Sequence, residues 1–321
     1  MKVLANDGIS AKAKAQLQAA GVHVSTDHVE QGKLIDTINQ EGYDGILVRS
    51  ATKVRKDLID ACPNLRFVGR GGVGMDNIDV DYAREQGRVV FNTPAASSQS
   101  VAELVMAHLF AMARSLQHSY QAMPLRGAEE FKVLKKEYAK GIELRGKTLG
   151  IVGFGRIGTA VAQYALGCGM NVIGVDREGT SRSVNVQVPM GGAKTHDVEV
   201  DIPLVPMEEM LAQSDAVTFH VPAQSDGSPV LDAAGIAAMK PGAMLVNTAR
   251  GGTVDETAVR AAVSNGHLRG AALDVFVGEP KPDAGLLSES GLALTPHIGA
   301  ATLEAQDRIG DELVERILEL R

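Results

Sequence analysis

The feature that most constrains this chain is a glycine-rich turn near its middle. An apolar run over 147–152 leads straight into G-F-G-R-I-G, which sets Gly153, Gly155 and Gly158 at the spacing G-x-G-x-x-G. A helical apolar pattern follows (Ile157, Ala160, Val161, Tyr164), and the next apolar run, 171–175, ends on Asp176. Strand, turn, helix and strand-end acid in that order describe a dinucleotide-binding βαβ unit. Gly153 permits the tight turn, Gly155 lets backbone approach a pyrophosphate, and Gly158 lets the helix lie close to the strand. The helix start offers unpaired N–H groups and a positive dipole end to phosphates. Asp176 is placed to accept hydrogen bonds from an adenosine ribose and to repel a 2′-phosphate. NAD is therefore expected over NADP, although the neighbouring Arg177 is a residue type that accommodates that phosphate.

The rest of the chain repeats the same rhythm. Its 321 residues suggest two domains. Short apolar runs at 3–6, 22–25, 45–48, 67–69 and 89–92 alternate with helical patterns at 10–20, 29–40, 56–61 and 80–86. Ser10 reads as an N-cap and Gly21 as a C′ residue. Strands separated by helices predict a parallel sheet covered on both faces. One long helix is expected over 98–123, with Val101, Leu104, Val105, His108 and Met112 on one face. A capping box at Ser100 and Glu103 marks its start, and Pro124 its end. Residues 125–146, polar and Lys/Glu-rich, read as a surface connection. Further strands are expected at 216–220, 243–247, 270–273 and 292–294, with a closing helix over 303–320. Two polar–apolar alternations, 183–188 and 197–202, flank Gly191 and Gly192 and predict an inserted β-hairpin.

Composition excludes several function classes. A net charge of −7 and a pI near 5.7 offer no basic stripe for nucleic acid. No apolar run approaches the roughly 18 residues of a membrane span, and the start shows no signal-peptide pattern. Cys62 and Cys168 suit neither a disulfide framework nor a metal site. A soluble, cytoplasmic chain without metal or membrane is expected.

Three segments put unusual polar residues just past apolar strands, where open α/β sheets bind ligands. They are N-T-A-R-G-G with Arg250, L-D-V-F-V-G-E-P with Asp274 and Glu279, and P-H-I-G-A with His297. Together with G-F-G-R-I-G, and in this order, they resemble the D-isomer-specific 2-hydroxyacid dehydrogenase family over nearly the whole chain. The hairpin and residues 125–141 stand outside the likeness. The resemblance implies a Rossmann-type NAD-binding domain (98–296, with the hairpin at about 183–202) inserted into a flavodoxin-like substrate-binding domain (1–97 plus 297–321), with the active site in the cleft. It implies Arg250, Glu279 and His297 as the catalytic set. Its cofactor contacts map onto Arg156, Ile157, Asp176, His220, Val221, Pro222, Thr248, Ala249, Arg250, Asp274, His297, Gly299 and Ala300, beside the three glycines. A homodimer through the NAD-binding domain is implied as well. Chemistry agrees with the mapping: hydride transfer at C2 of a hydroxy acid requires a proton to move at the C2 oxygen. Histidine titrates near neutrality, a carboxylate on its far nitrogen fixes the tautomer, and an arginine fork suits a carboxylate.

Within the family, the N-terminal text is most similar to the D-3-phosphoglycerate dehydrogenase branch: V-R-S-A-T-K at 48–53, V-G-R-G-G-V-G-M-D-N-I-D at 68–79 and N-T-P at 92–94. Arg49, Ser50, Arg70, Gly72, Val73 and Gly74 then become candidate substrate contacts, with Arg250 and His297. Two arginines suit a substrate that carries phosphate as well as carboxylate, and Lys135 or Lys136 can add a contact. The alternatives are a glyoxylate or hydroxypyruvate reductase of the same family, and a non-catalytic NAD-sensing protein. Two departures stand out. The text ends at Arg321 without the serine-binding regulatory domain many such enzymes carry, so no serine feedback is expected. The segment from His220 to Ser228 also lacks the leucine and threonines usual after His-x-Pro.

Overall fold

Apolar tetrads separated by short helices build the first sheet. The computed structural model describes residues 1–192 and 194–321. Strands β1 (Lys2–Ala5), β2 (His23–Ser25), β3 (Gly45–Val48), β4 (Phe67–Arg70) and β5 (Val89–Asn92) pair in parallel in the order β2-β1-β3-β4-β5. The order reverses between β1 and β3, which makes their carboxyl ends the switch point of a flavodoxin-like sheet. Helices α1 (Ala11–Ala19), α2 (Leu34–Glu41), α3 (Lys56–Ala61) and α4 (Val80–Glu85) intervene. Leu34, Ile38, Leu58 and Ile59 bury one face of the sheet. Ala13 and Leu17 cover the other with Ile309, Leu313 and Ile317 of the C-terminal helix, Leu303–Leu318. Ser10 caps α1 through the Ala13 N–H, and Thr302 caps the C-terminal helix through the Ala305 N–H. The pattern at 29–40 resolves into a 3₁₀ turn (Gln31–Lys33) followed by α2.

The single helix expected over 98–123 is two helices, α5 (Ser98–Arg114) and α6 (Leu116–Glu137), parted at Ser115 with φ 51°. The break has a cause: the Met112 and Ala113 carbonyls are taken by the Arg269 guanidinium at 3.4 and 3.2 Å, and the Ile142 N–H also donates to Ala113. Pro124 does not end the helix; it lies inside α6, which bends at Glu130 (φ −114°) and runs on to Glu137. An interior proline costs about 3 kcal/mol in a helix. The helix-forming stretch after it, buried Leu134 and the Arg126–Glu130 pair at 2.6 Å work against that cost. Residues 125–137 are therefore helix and not connection. The helix begins at Ser98, two residues before the Ser100 expected at its start, and Glu103 accepts the Tyr164 hydroxyl at 2.6 Å.

The second sheet comprises β6 (Thr148–Val152), β7 (Asn171–Val175), β10 (Ala216–Phe219), β11 (Ala243–Asn247), β12 (Leu268–Leu273) and β13 (Leu292–Leu294). It is parallel throughout, in the order β13-β12-β11-β10-β6-β7. Beyond β7, the edge position is held by one parallel bridge, Gly174 to Leu204. The chain reaches that bridge through the antiparallel ribbon β8 (Ser181–Pro189) and β9 (Thr195–Pro203), longer at both ends than expected. Helices α7 (Arg156–Gly167), α8 (Met207–Gln213), α9 (Ala233–Ala238), α10 (Glu256–Ser264) and α11 (Ala284–Leu287) fill the crossovers. The sheet is the Rossmann type, with its switch point between β6 and β10.

The chain divides into two units, Met1–Ser100 with Ala300–Arg321, and Val101–Gly299. That division keeps the turn bearing His297 in the same unit as β13, the strand it follows. No helix among the described residues is long and apolar enough to cross a membrane, and no group of His, Cys, Asp or Glu among them could hold a metal ion. Cys62 and Cys168 are free thiols.

Candidate active site

The cradle at the switch point of the second unit follows from its glycines. Gly153 takes φ 92°, and a Cβ there would stand 2.8 Å from the His220 carbonyl oxygen. Gly158 lies so close under the turn that a Cβ would stand 2.1 Å from the Gly153 oxygen. Gly155 faces open space and starts α7 with no side-chain cap, leaving the first N–H groups of the helix for a ligand. Arg156 is exposed at that start and Ile157 half-buried. At the ends of β10 and β11, two buried polar atoms have no hydrogen-bond partner among the described residues: His220 Nδ1 and Thr248 Oγ1. Burial lowers the His220 pKa to about 3, so the ring is neutral, and its Nε2 stands 3.1 Å from Thr218 Oγ1. Val221 touches the Gly153 position, whereas Pro222 is exposed. An open helix start, a close-approach turn and orphaned polar atoms on neighbouring strand ends are what a dinucleotide requires, so the residues fit NAD.

Asp176 ends β7 as expected. Its Oδ1 accepts the Arg177 N–H at 2.7 Å and its Oδ2 the Phe154 N–H at 3.3 Å. Arg182 of the ribbon also reaches Oδ2, with Nη2 at 3.2 Å and Nε at 3.4 Å. Burial alone would raise this carboxyl; donation from Arg177, Arg182 and Phe154 outweighs it and holds the pKa below the usual range.

His297 and Glu279, expected as an acid–base pair, are in contact. His297 Nδ1 stands 2.8 Å from Glu279 Oε2, and Glu279 Oε1 accepts the Phe276 N–H at 2.9 Å. A neutral ring facing an ionised carboxylate, which only accepts, carries its proton on Nδ1 and keeps a lone pair on Nε2. Nε2 makes no hydrogen bond among the described residues, and the ring is 40% exposed. His297 has φ 55°, a left-handed conformation costly for a histidine, and the turn around it is tied down. Asp274, buried after β12, accepts Thr295 Oγ1 at 2.7 Å and the Ile298 N–H at 2.8 Å on Oδ1, and the Gly299 N–H at 2.9 Å on Oδ2. Both oxygens of Asp274, read from the resemblance as a cofactor contact, thus serve the His297 turn. Buried His108 adds a contact from α5, with Nε2 3.3 Å from Thr295 Oγ1; burial lowers its pKa against the pull of Asp274.

Arg250 belongs to the same construction. Buried Asn247 accepts the Ala249 N–H at 3.0 Å and donates to the Arg250 carbonyl at 2.9 Å, which fixes the turn after β11. Gly251 rests against the loop that carries Glu279: a Cβ on it would lie 2.0 Å from the Phe276 oxygen. Glu256 accepts the Val277 N–H of that loop at 2.7 Å, and burial raises its pKa. A cavity of about 420 Å³ opens beside the pair, walled by Phe276, Leu287, Leu294 and Pro296 with Glu279 and His297. Its largely apolar wall offers little to a phosphate.

Arg250 and His297 lie in the second unit, and the other candidate substrate residues lie in the first, with Ala300. Asp7, after β1, accepts the Arg49 N–H at 2.6 Å and the Thr52 hydroxyl at 2.6 Å, which anchors the turn after β3 at that unit's switch point. The Arg49 guanidinium makes no hydrogen bond among the described residues. Arg70, at the end of β4, donates to the Gly71 carbonyl at 3.1 Å and meets Ser50 Oγ at 3.4 Å. Thr93 Oγ1 accepts the Gly72 N–H at 2.8 Å, and Asn92 donates to the Val73 carbonyl, so β5 steadies the 70–74 loop. Lys135 and Lys136 are exposed in the last turn of α6.

Asp7, His108, Thr295, Glu256 and Arg182 were not singled out from the sequence for these contacts. His108 was legible only as a core-facing position. The rest are ordinary polar residues whose partners lie on other elements.

Comparison with known proteins bears on this geometry. Residues 106–299 match the family model described as D-isomer specific 2-hydroxyacid dehydrogenase, NAD binding domain. A hydroxypyruvate reductase of Thermotoga maritima is 42% identical over 92% of this chain and 90% of its own length. A D-3-phosphoglycerate dehydrogenase of Methanocaldococcus jannaschii is 39% identical over 99% of this chain, which spans 57% of that longer protein. A crystal structure of a Thermus thermophilus protein superposes with a TM-score of 0.83 at 32% identity, covering 99% of this chain and 96% of its own. The chain belongs to the D-isomer-specific 2-hydroxyacid dehydrogenase family, and its second unit is that family's NAD-binding domain.

Proposed function

We propose that the chain oxidises D-3-phosphoglycerate to 3-phosphohydroxypyruvate, the opening step of a phosphorylated route to serine. Bound NAD supplies the two-electron acceptor. His297 Nε2 takes the proton of the C2 hydroxyl, and Glu279 stabilises the imidazolium through Nδ1. Arg250 holds the substrate carboxylate and polarises the C2 oxygen. The turn at Gly153, Gly155 and Gly158, with Arg156 and Ile157, takes the pyrophosphate, and Asp176 the adenosine ribose. His220, Val221, Pro222, Thr248 and Ala249, with the turn from His297 to Ala300, complete the cofactor contacts, while Asp274 acts by holding that turn. Arg49 and Arg70, with Ser50 and the Gly72, Val73 and Gly74 backbone, take the phosphate.

The observation that carries the acid–base role is the 2.8 Å His297–Glu279 bond beside an unengaged Nε2. The phosphate assignment rests on Arg49, whose backbone is anchored while its guanidinium is free of partners among the described residues. A second reading is a glyoxylate or hydroxypyruvate reductase, and the Thermotoga relative, of which the chain covers 90%, favours hydroxypyruvate. Initial rates of NAD reduction with D-3-phosphoglycerate, D-glycerate and D-lactate separate the two. The phosphate reading expects kcat/KM at least about tenfold higher for the phosphorylated acid, roughly the worth of one charge-assisted contact. Equal values, or a preference for D-glycerate, support the second reading.

A homodimer is part of the proposal. Tyr120, Leu125, Phe131 and Val133 expose apolar surface along α6 of the NAD-binding unit, a face suited to a second copy. Mass measured in solution tests it, and a monomer at micromolar concentration contradicts it.

A further inference from the structure

The ribbon of β8 and β9 interrupts the Rossmann order where its third strand is expected, and it brings a charge to the adenosine end of the cradle. Arg182 is the second residue of β8 and pairs across the ribbon with Ile202. Ile202 and the next inward residue, Val184, are 2% and 1% exposed in the core beside α7. The root of the ribbon is thus fixed by apolar burial, and from that root the Arg182 guanidinium reaches Asp176 Oδ2 at 3.2 and 3.4 Å. The ion pair is not what anchors the ribbon: half-exposed pairs are worth about 0–1 kcal/mol, and Arg182 is 41% exposed. Exposed Arg177 follows Asp176 directly. Exposed Glu178 comes next, so over 176–182 two arginines balance two acids and offset the charge with which Asp176 alone would reject a phosphate.

We propose that Arg182 is a cofactor-specificity residue, which offsets the repulsion of Asp176 toward a 2′-phosphate and supplies a donor for one, so that the chain binds NADP as a second cofactor behind NAD. The proposal rests on reading Asp176 as the residue that accepts the adenosine ribose. Opposed charges at one carboxylate suit both forms: the free acceptor positions of Asp176 serve the two hydroxyls of NAD, and the guanidinium serves a phosphate monoester.

Calorimetric titration of the full chain with ADP-ribose and with 2′-phospho-ADP-ribose tests this without turnover. In Arg182→Gln, the ratio of the two Kd values, phosphorylated over plain, is expected to rise at least about tenfold, the loss of one charge-assisted contact. Arg182→Lys, which keeps the charge, should hold the ratio within about threefold. Asp176→Asn should lower it at least about tenfold by removing the repelling charge. The NADP-to-NAD ratio of kcat/KM moves in parallel in each case. Equal weakening of both ligands in Arg182→Gln would make Arg182 a ribbon anchor and overturn the proposal. An Asp176→Asn chain that binds both ligands as before would overturn the reading of Asp176 and the proposal with it. A normal Asp176→Asn response beside an unchanged Arg182→Gln ratio would overturn the proposal alone.

Discussion

Both units are doubly wound parallel sheets, and both set their functional loops at the carboxyl ends of strands, yet they hold side chains differently. In the first unit, Asp7, Asn92 and Thr93 anchor backbone: the Arg49 N–H, the Val73 carbonyl and the Gly72 N–H. The Arg49 guanidinium itself makes no hydrogen bond among the described residues, whereas that of Arg70 donates to the Gly71 carbonyl and to Ser50 Oγ. In the second unit, anchoring extends to the ring of His297, the proposed proton-transfer group. Asp274 ties three donors around His297, and Glu279 fixes one nitrogen of its ring while bonded to the Phe276 N–H. Under the proposed function, the difference follows from the tasks. A proton-transfer group needs its tautomer and position set before substrate arrives, whereas a phosphate-binding arginine can adjust its reach on contact.

That contrast can be broken in order of expected effect. Arg250→Ala removes the carboxylate fork and should lower kcat/KM for the preferred acid on the order of 10²-fold, about 3 kcal/mol; a loss under about threefold would remove Arg250 from the mechanism. Asp274→Asn leaves at least one donor of the His297 turn without an acceptor. It should lower kcat roughly tenfold to thirtyfold and cost about 1–3 kcal/mol in urea unfolding; lost stability with intact kcat would show the turn need not be tied. Arg49→Gln is expected to raise KM for D-3-phosphoglycerate about tenfold with kcat nearly intact, and to leave KM for D-glycerate within about twofold. Equal rises for both acids would mean Arg49 reads something other than phosphate.

The smallest effect concerns pH and stability. Burial holds the His220 pKa at about 3 in the folded chain, against about 6.5 unfolded. A depressed pKa contributes stability that is complete above the unfolded value and lost as pH falls toward the folded one, so acid favours unfolding below about pH 6.5. Between pH 7 and pH 5 the loss is about 2 kcal/mol at most. His220→Gln should flatten the slope of unfolding free energy over that window, and an unchanged slope would place the acid sensitivity elsewhere.

How much of this was legible follows from the range of each interaction. The G-F-G-R-I-G turn, Asp176, Arg250 and His297 could be read because each sits beside or just past a strand whose apolar pattern marks its end, while Glu279, six residues beyond β12, came from the family resemblance. The break at Ser115 could not, because Arg269, far along the chain, takes the carbonyls that a continuous helix would use. Pro124 misled for the same reason: a local rule ends the helix there, while buried Leu134 and the Arg126–Glu130 pair carry it on to Glu137. The ribbon itself was visible in its alternation. Its Arg182–Asp176 contact depends on how β8 is seated by Val184 and Ile202, which no local pattern states.

The central claim is that His297, set by Glu279, moves the proton at C2. The rate of NAD reduction at saturating D-3-phosphoglycerate, compared between the native chain and His297→Ala, tests it most directly. The account predicts a loss on the order of 10³-fold with ADP-ribose binding retained, within the range of general acid–base catalysis. A rate within about threefold of the native chain, well below what loss of a general base costs, would contradict it.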